Sequence, residues 1–218
     1  MRLIKSHDTS DHVAEVVANR AFFAQFPEQM KKPDEAKPLH VVTGATLTST
    51  AIAQGVLAKL GQASGTSLRF PDEITLAEVK MLEPKATNLQ PSKQHHGGQN
   101  VLDAKGILIG IATRTSPVTD TLVGYKGPTD SLMLLDATGQ ILKRMSLRKS
   151  YDTKRYVAYV TGDDYFQKLF NDMTLEKLAD LDFKQAKIEG VSGATETSWS
   201  IAEGLKLRAK NLLESHPT

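Results

Sequence analysis

Cysteine is absent from this 218-residue sequence. That excludes disulfides, thiolate metal sites, iron–sulfur ligation and thiol catalysis within these residues. An excess of charge of one sign is also missing. The 27 basic and 25 acidic residues are interspersed and leave a formal net charge of +2, so there is no electrostatic footprint for nucleic acid, which is set aside as a partner. No apolar run approaches the roughly eighteen residues that a transmembrane helix needs, and the stretch from Met1 to Lys5 does not begin a signal peptide. With 40% hydrophobic residues, the chain has enough apolar content for a packed core, in one large domain or two small ones.

What is present is a motif that occurs twice. Glu189-Gly190-Val191-Ser192-Gly193-Ala194-Thr195-Glu196-Thr197-Ser198 leads into a helical pattern from Trp199 to Leu213. Val191 ends an extended approach, Gly193 permits a tight turn, and Thr195, Thr197 and Ser198 bring hydroxyls to a helix start whose first backbone N–H groups lack helical partners. Such a start favours an anion, with the dipole term worth about 0.3–1 kcal/mol at an exposed site. One copy alone would read as an ordinary helix cap. The second copy, Val42-Thr43-Gly44-Ala45-Thr46-Leu47-Thr48-Ser49, runs into a helical pattern through Ile52, Val56 and Leu60. A fixed Gly-Ala-Thr-x-Thr-Ser arises by chance at roughly one position in a million, so the pair points to duplication.

The repetition extends further. Leu3, Lys5, Ser6, Asp8 and Thr9 recur 144 residues later as Leu147, Lys149, Ser150, Asp152 and Thr153, and Phe22 and Phe26 recur as Phe166 and Phe170. After five extra residues the offset becomes 149, where Thr46, Thr48, Ser49, Ile52 and Gly55 match Thr195, Thr197, Ser198, Ile201 and Gly204. The first copy begins in mid-unit. The expected organisation is therefore residues 1–60 as the C-terminal half of a first repeat, 61–98 as a linker, and 99–213 as a complete unit. In the linker, Gly61 to Gly65 reads as a flexible connection, Arg69 to Leu82 as a short strand or helix, and Pro84 to Gly98 as a polar stretch. Its His95-His96 pair lacks acidic or thiol partners nearby and reads as solvated rather than metal-binding.

The complete unit opens with strand signals. Val101-Leu102 turns at Asp103 to Gly106 to pair with Ile107 to Thr113, and Leu132 to Leu135 turns at Asp136 to Gly139 to pair with Gln140 to Leu147. Between these hairpins Val123-Gly124-Tyr125-Lys126-Gly127-Pro128-Thr129 reads as a shaped loop. Tyr151 to Thr161 reads as partly extended. Asp163-Asp164 starts a helix that turns Phe166, Leu169 and Phe170 inward, and Thr174 starts Leu175 to Leu181. The final helix should bury Ile201, Ala202, Leu205 and Leu212 and leave Lys206, Arg208 and Lys210 in solvent. The predicted fold class is α+β, an antiparallel sheet flanked by helices in a duplicated unit with an incomplete first copy.

At Ser192-Gly193-Ala194-Thr195-x-Thr197-Ser198, Gly124-Tyr125-x-Gly127-Pro128 and Asp152-Thr153 the chain resembles the FMN-binding domain family. That family includes the flavin-carrying subunits of sodium-pumping NADH:quinone reductase and of Rnf complexes. The likeness is greatest to the periplasmic flavin domain of NosR-type nitrous-oxide reductase maturation proteins. It covers about 101–210 as a full unit and 1–60 as a half unit. The resemblance implies FMN as cofactor, joined through its phosphate to Thr195 by a flavin transferase, with Thr46 as a second candidate acceptor. Ser192, Gly193, Ala194, Thr195, Glu196, Thr197 and Ser198 would surround the phosphate. Tyr125, Gly127, Pro128, Thr129, Asp152 and Thr153 would lie toward the ring, while Gly44, Thr46, Thr48 and Ser49 would form the first-copy site. The transferase pattern carries Asp three residues before the Ser/Thr, where this chain has Glu189 and His40, so covalent loading is expected to be partial or absent.

The resemblance further implies an electron-carrier module rather than a stand-alone catalyst. Its partners would be a redox protein or the membrane-bound remainder of a parent chain, in a periplasmic or extracytoplasmic setting. Two other functions remain open at this stage. One is a flavin-sensing or structural module of a maturation assembly with degenerate sites, and the other is a binder of some other phosphate.

Overall fold

The structure, a computed structural model, describes residues 3, 10–31, 39–59, 67, 69–95, 97–186 and 188–215. The chain divides into two compact units, Met1–Ser64 and Gly65–Thr218. The Lys5, Ser6, Asp8, Thr9 and His96 positions, Leu60 and the Gly61 to Gly65 connection lie outside the described residues.

In the larger unit, strict alternation along one strand sets the architecture. β1 (Asn88–Pro91), β2 (Gln99–Leu102), β3 (Leu108–Arg114), β4 (Thr129–Leu135), β5 (Ile141–Ser150) and β6 (Met173–Thr174) form an antiparallel sheet in sequence order. Every residue of β4 is buried, because both faces of the sheet are covered. Met133 and Leu135 join Ile111, Leu142 and Met145 on one face, beneath the helices that follow β5. Leu132 and Leu134 join Ala112 and Val101 on the other. The predicted hairpins form in the expected pairing, with β2 against β3 and β4 against β5. The α+β fold class read from the sequence is the observed one.

The second face is where the sequence reading needs correction. Residues 69–95 are not a linker. α4 (Leu76–Leu82) lays Val79 and Leu82 on Ala112, Leu132 and Leu134, and β1 pairs with β2 at the edge of the sheet. A capping box starts α4: the Glu78 amide donates to Thr75 Oγ1, and the Thr75 amide donates to Glu78 Oε2 at 2.8 Å. His95 is buried, with Nε2 3.0 Å from the Gly139 carbonyl oxygen, rather than solvated. Arg148 of β5 fastens this layer. Its Nε donates to Glu78 Oε1 and its Nη1 to Asp130 Oδ2, both at 2.8 Å, and Nη2 donates to the Glu73 carbonyl.

The opposite face carries α5 (Lys154–Gly162), α6 (Asp164–Lys168), α7 (Leu175–Ala179) and α8 (Thr195–Glu214). α5 corrects the extended reading of Tyr151 to Thr161. Tyr156 and Val160 lie four residues apart on its buried side, so a helical period was hidden among residues of high strand propensity. As expected, Asp163 caps α6, Thr174 caps α7, and Phe166 and Phe170 are buried edge to face at 5.6 Å. Arg208 is a second correction. It is buried, with Nη2 donating to Thr113 Oγ1 at 2.8 Å and Nη1 to Asn211 Oδ1 at 2.6 Å. Burial, together with the nearby Arg114 charge, lowers its pKa to about 10.

The smaller unit consists of α1 (Ser10–Ala18), α2 (Arg20–Lys31) and α3 (Thr46–Lys59) among its described residues. At the repeat offset, Asn19 Oδ1 accepts from the Phe22 amide at 2.9 Å, and Asp163 Oδ1 accepts from the Phe166 amide at 2.8 Å. Phe22 and Phe26 likewise meet edge to face, at 5.3 Å. Among the described residues no helix is long and apolar enough to cross a membrane.

The Arg148–Asp130 pairing is buried, so removing the guanidinium takes the 2.8 Å charge partner from a carboxylate that keeps only the Ser116 amide, the Thr115 hydroxyl and Arg114 at 3.8 Å. Arg148→Ala should cost about 3–5 kcal/mol of folding free energy, read by urea denaturation. A loss below about 1 kcal/mol would show that the α4 layer does not depend on this network.

Candidate functional site

The turn before α8 is built by hydrogen bonds that hold its hydroxyls inward. Gly193 has φ of 74°, a conformation that strains any residue with a Cβ. The Ala194 amide donates to the Val191 carbonyl at 2.9 Å. Ser198 Oγ accepts from the Val191 amide at 3.0 Å and donates to the Thr195 carbonyl at 2.9 Å. The first copy repeats these contacts. Gly44 has φ of 85°, the Ala45 amide donates to the Val42 carbonyl at 3.1 Å, and Ser49 Oγ accepts from the Val42 amide at 3.0 Å.

In the larger unit Asp152 adds a connection with no described counterpart in the smaller one. Its Oδ2 accepts from Thr197 Oγ1 at 2.7 Å and from the Tyr125 amide at 3.0 Å. Its Oδ1 accepts from the Lys126 amide at 2.8 Å and the Thr153 amide at 2.6 Å. One carboxylate therefore joins the Gly124 to Pro128 loop, the start of α5 and the first turn of α8. Burial alone would raise its pKa, but these four hydrogen bonds outweigh that effect and hold the carboxyl below its ordinary value. The loop must approach closely. A Cβ on Gly127 would stand 2.6 Å from the Tyr151 carbonyl oxygen, and one on Gly124 would run into Asp152 Oδ2.

The expected site residues thus separate by role. Thr197 and Ser198 are completely buried with hydroxyls engaged in the protein, so they shape the turn and do not face a ligand as the sequence reading had them do. Pro128 and Thr129 are buried as well, and Thr129 Oγ1 lies 2.7 Å from Ser150 Oγ. Thr153 is the residue that precedes α5. Ser192, Gly193, Thr195 and Glu196 remain exposed. Ala194 is buried and, as the capping residue of α8, offers no side-chain acceptor to the first-turn amides. The first copy has the same pattern, with Gly44 and Thr46 exposed and Thr48 and Ser49 buried.

Tyr159 of α5 borders this exposed turn, and Arg155 and Tyr156 lie on the same helix; all three were overlooked in the sequence reading. The Tyr159 ring lies beside Gly193, such that a Cβ there would be 3.5 Å from Tyr159 Cε2. Arg155 Nε donates to the Tyr159 hydroxyl at 2.7 Å. Tyr156 meets Tyr125 edge to face at 5.0 Å, and both Tyr125 and Tyr159 are exposed. A helical reading of Tyr151 to Thr161 would have placed Arg155 and Tyr159 four residues apart on one face. An open depression of about 520 Å³ lined by Asp152, Lys154, Val157, Ala158 and Thr161 lies on a different face of α5 from Tyr159.

The arrangement can receive a phosphate-like anion. An exposed hydroxyl and uncapped amides stand at a helix start, with the Tyr159 ring beside Gly193 and the Arg155 guanidinium over that ring, 5.4 Å from its centroid. Glu196 adds a charge of the wrong sign on the same turn. Comparison of the chain with models of protein families, with curated proteins and with solved structures finds no match in any of the three.

Because the folded pKa of Asp152 is depressed, its stabilisation is fully present above the unfolded value of about 3.9 and is lost as pH falls through the lower folded value. Asp152→Asn should flatten the acid limb of stability against pH, measured by denaturation across that window. An unchanged acid limb would show that Asp152 is not the group that is lost.

Proposed function

We propose that this protein is an FMN-binding electron-transfer module, with the flavin phosphate at the Thr195 turn and the ring against the neighbouring tyrosines. The observation that carries the reading is the exposed Thr195 at an uncapped helix start, in a turn held from beneath by Ser198 and Asp152. FMN would supply one- and two-electron redox chemistry. The chain's own residues would bind the phosphate, orient the ring and set its surroundings, without acting as acid, base or nucleophile.

On this reading Thr195 rather than Thr46 is the main site, because only its unit has the Gly124-Tyr125-x-Gly127-Pro128 loop. Electrons would pass to and from a redox partner protein or the membrane-bound remainder of a parent chain, in an extracytoplasmic setting. A flavin transferase would be the partner for covalent attachment. The second reading, a sensing or structural module with degenerate sites, draws on Glu189 and His40 at the position where the transferase pattern has Asp.

Intact mass after coexpression with a flavin transferase tests the assignment. Thr195→Ala should abolish any gain of an FMN-sized mass, whereas Thr46→Ala should leave it. Glu189→Asp should raise loading, since misplacing a reacting group costs on the order of 100-fold in rate. A gain lost only in Thr46→Ala would reverse the assignment, and complete loading with either acid at 189 would remove the argument from the motif.

A further inference from the structure

The two turns share backbone geometry but are faced by opposite charge. At the repeat offset of 144, Arg155 corresponds to Asp11 and Tyr159 to Glu15. α5 spans Lys154–Gly162 and α1 spans Ser10–Ala18, so the matched residues occupy the same places in matched helices. The contact is also matched. A Cβ on Gly193 would lie 3.5 Å from Tyr159 Cε2, and one on Gly44 would lie 2.8 Å from Glu15 Oε2. Where the second copy sets a tyrosine carrying a guanidinium over its turn, the first sets a carboxylate with a second acid one helical turn away.

This arrangement is not part of the packed core. Asp11 and Glu15 are exposed, and like charges at i,i+4 weaken a helix by about 0.2–0.5 kcal/mol. Its effect falls on the turn, since a carboxylate beside Gly44 supplies negative charge to the start of α3 and repels any other anion there. In the second copy the charge is reversed: the Arg155 guanidinium lies over the Tyr159 ring, 5.4 Å from its centroid, with Nε donating to the Tyr159 hydroxyl, and that ring lies beside Gly193.

We propose that these residues sort anions between the repeats: Arg155 and Tyr159 make the Thr195 turn receptive to a phosphate group, and Glu15, supported by Asp11, closes the Thr46 turn to it. The inference rests on the phosphate-binding part of the functional reading and names its selectivity residues. It makes the first copy a self-occupied relic of an anion site.

Inorganic phosphate titrated into the ¹⁵N-labelled full chain tests the sorting without relying on flavin. In the wild type, the Gly193 to Thr197 amides should shift and the Gly44 to Thr48 amides should not. Arg155→Asp with Tyr159→Glu should weaken the first response about tenfold. Asp11→Arg with Glu15→Tyr should create a response at Gly44 to Thr48, a gain that a misfolded variant cannot produce. Equal shifts at both turns of the wild type, or a pattern unchanged by either exchange, would overturn the proposal. Selective phosphate shifts in a chain that binds no FMN would uphold the sorting and overturn only the flavin reading.

Discussion

The Asp152 carboxylate is the constraint on which the candidate site depends. Three segments far apart in sequence end at its two oxygens: the loop at Tyr125 and Lys126, the start of α5 at Thr153, and the first turn of α8 at Thr197. Each segment alone has little reason to adopt its position. Two backbone amides in a glycine-containing loop would otherwise need water or another acceptor, and a completely buried threonine hydroxyl would lack one. With the carboxylate in place, the loop carries Tyr125 onto Tyr156, and α5 brings Tyr159 beside Gly193. The same group that is buried for structural reasons therefore assembles the exposed face available to a ligand.

The sheet supplies the rigid base for that arrangement. β4 is buried on both faces, and the Arg148 pairings with Asp130 and Glu78 tie β5 to the α4 layer. β5 leads directly into Asp152. The site thus stands at the end of a strand that pairs with the doubly covered β4 and is tied to the α4 layer by Arg148, with α8 packed across the sheet through Ile201, Leu205, Ala209 and Leu212. Site geometry held by strands and helices is more precise than geometry held by loops alone.

Much of this was legible in the sequence because it depended on local signals. Turn residues at Asp103 to Gly106 and Asp136 to Gly139 marked the hairpins, and the two Gly-Ala-Thr stretches marked two turns that share their hydrogen bonds. The failures came where local propensity and tertiary context disagreed. Tyr156, Val157 and Val160 have strand-forming side chains but lie on a helix. Arg208 sits between exposed-looking lysines yet reaches Thr113 across the interface. The α4 segment, read as a short strand or helix, was left within a linker because it has no counterpart in the repeat, although Thr75 and Glu78 form a recognisable capping box. Burial of the Thr197 and Ser198 hydroxyls was not legible, because a serine or threonine at a helix start reads the same whether it faces ligand or core.

The central claim is that the Thr195 turn recognises the phosphate of a flavin. FMN and riboflavin share the isoalloxazine ring and differ at the phosphate, so the ratio of their dissociation constants isolates the contribution of that turn. Fluorescence titration of the purified full chain with each should show FMN binding tighter by about tenfold or more, as expected of a charge-assisted phosphate contact. Equal affinities, or no binding of either flavin, would contradict the account.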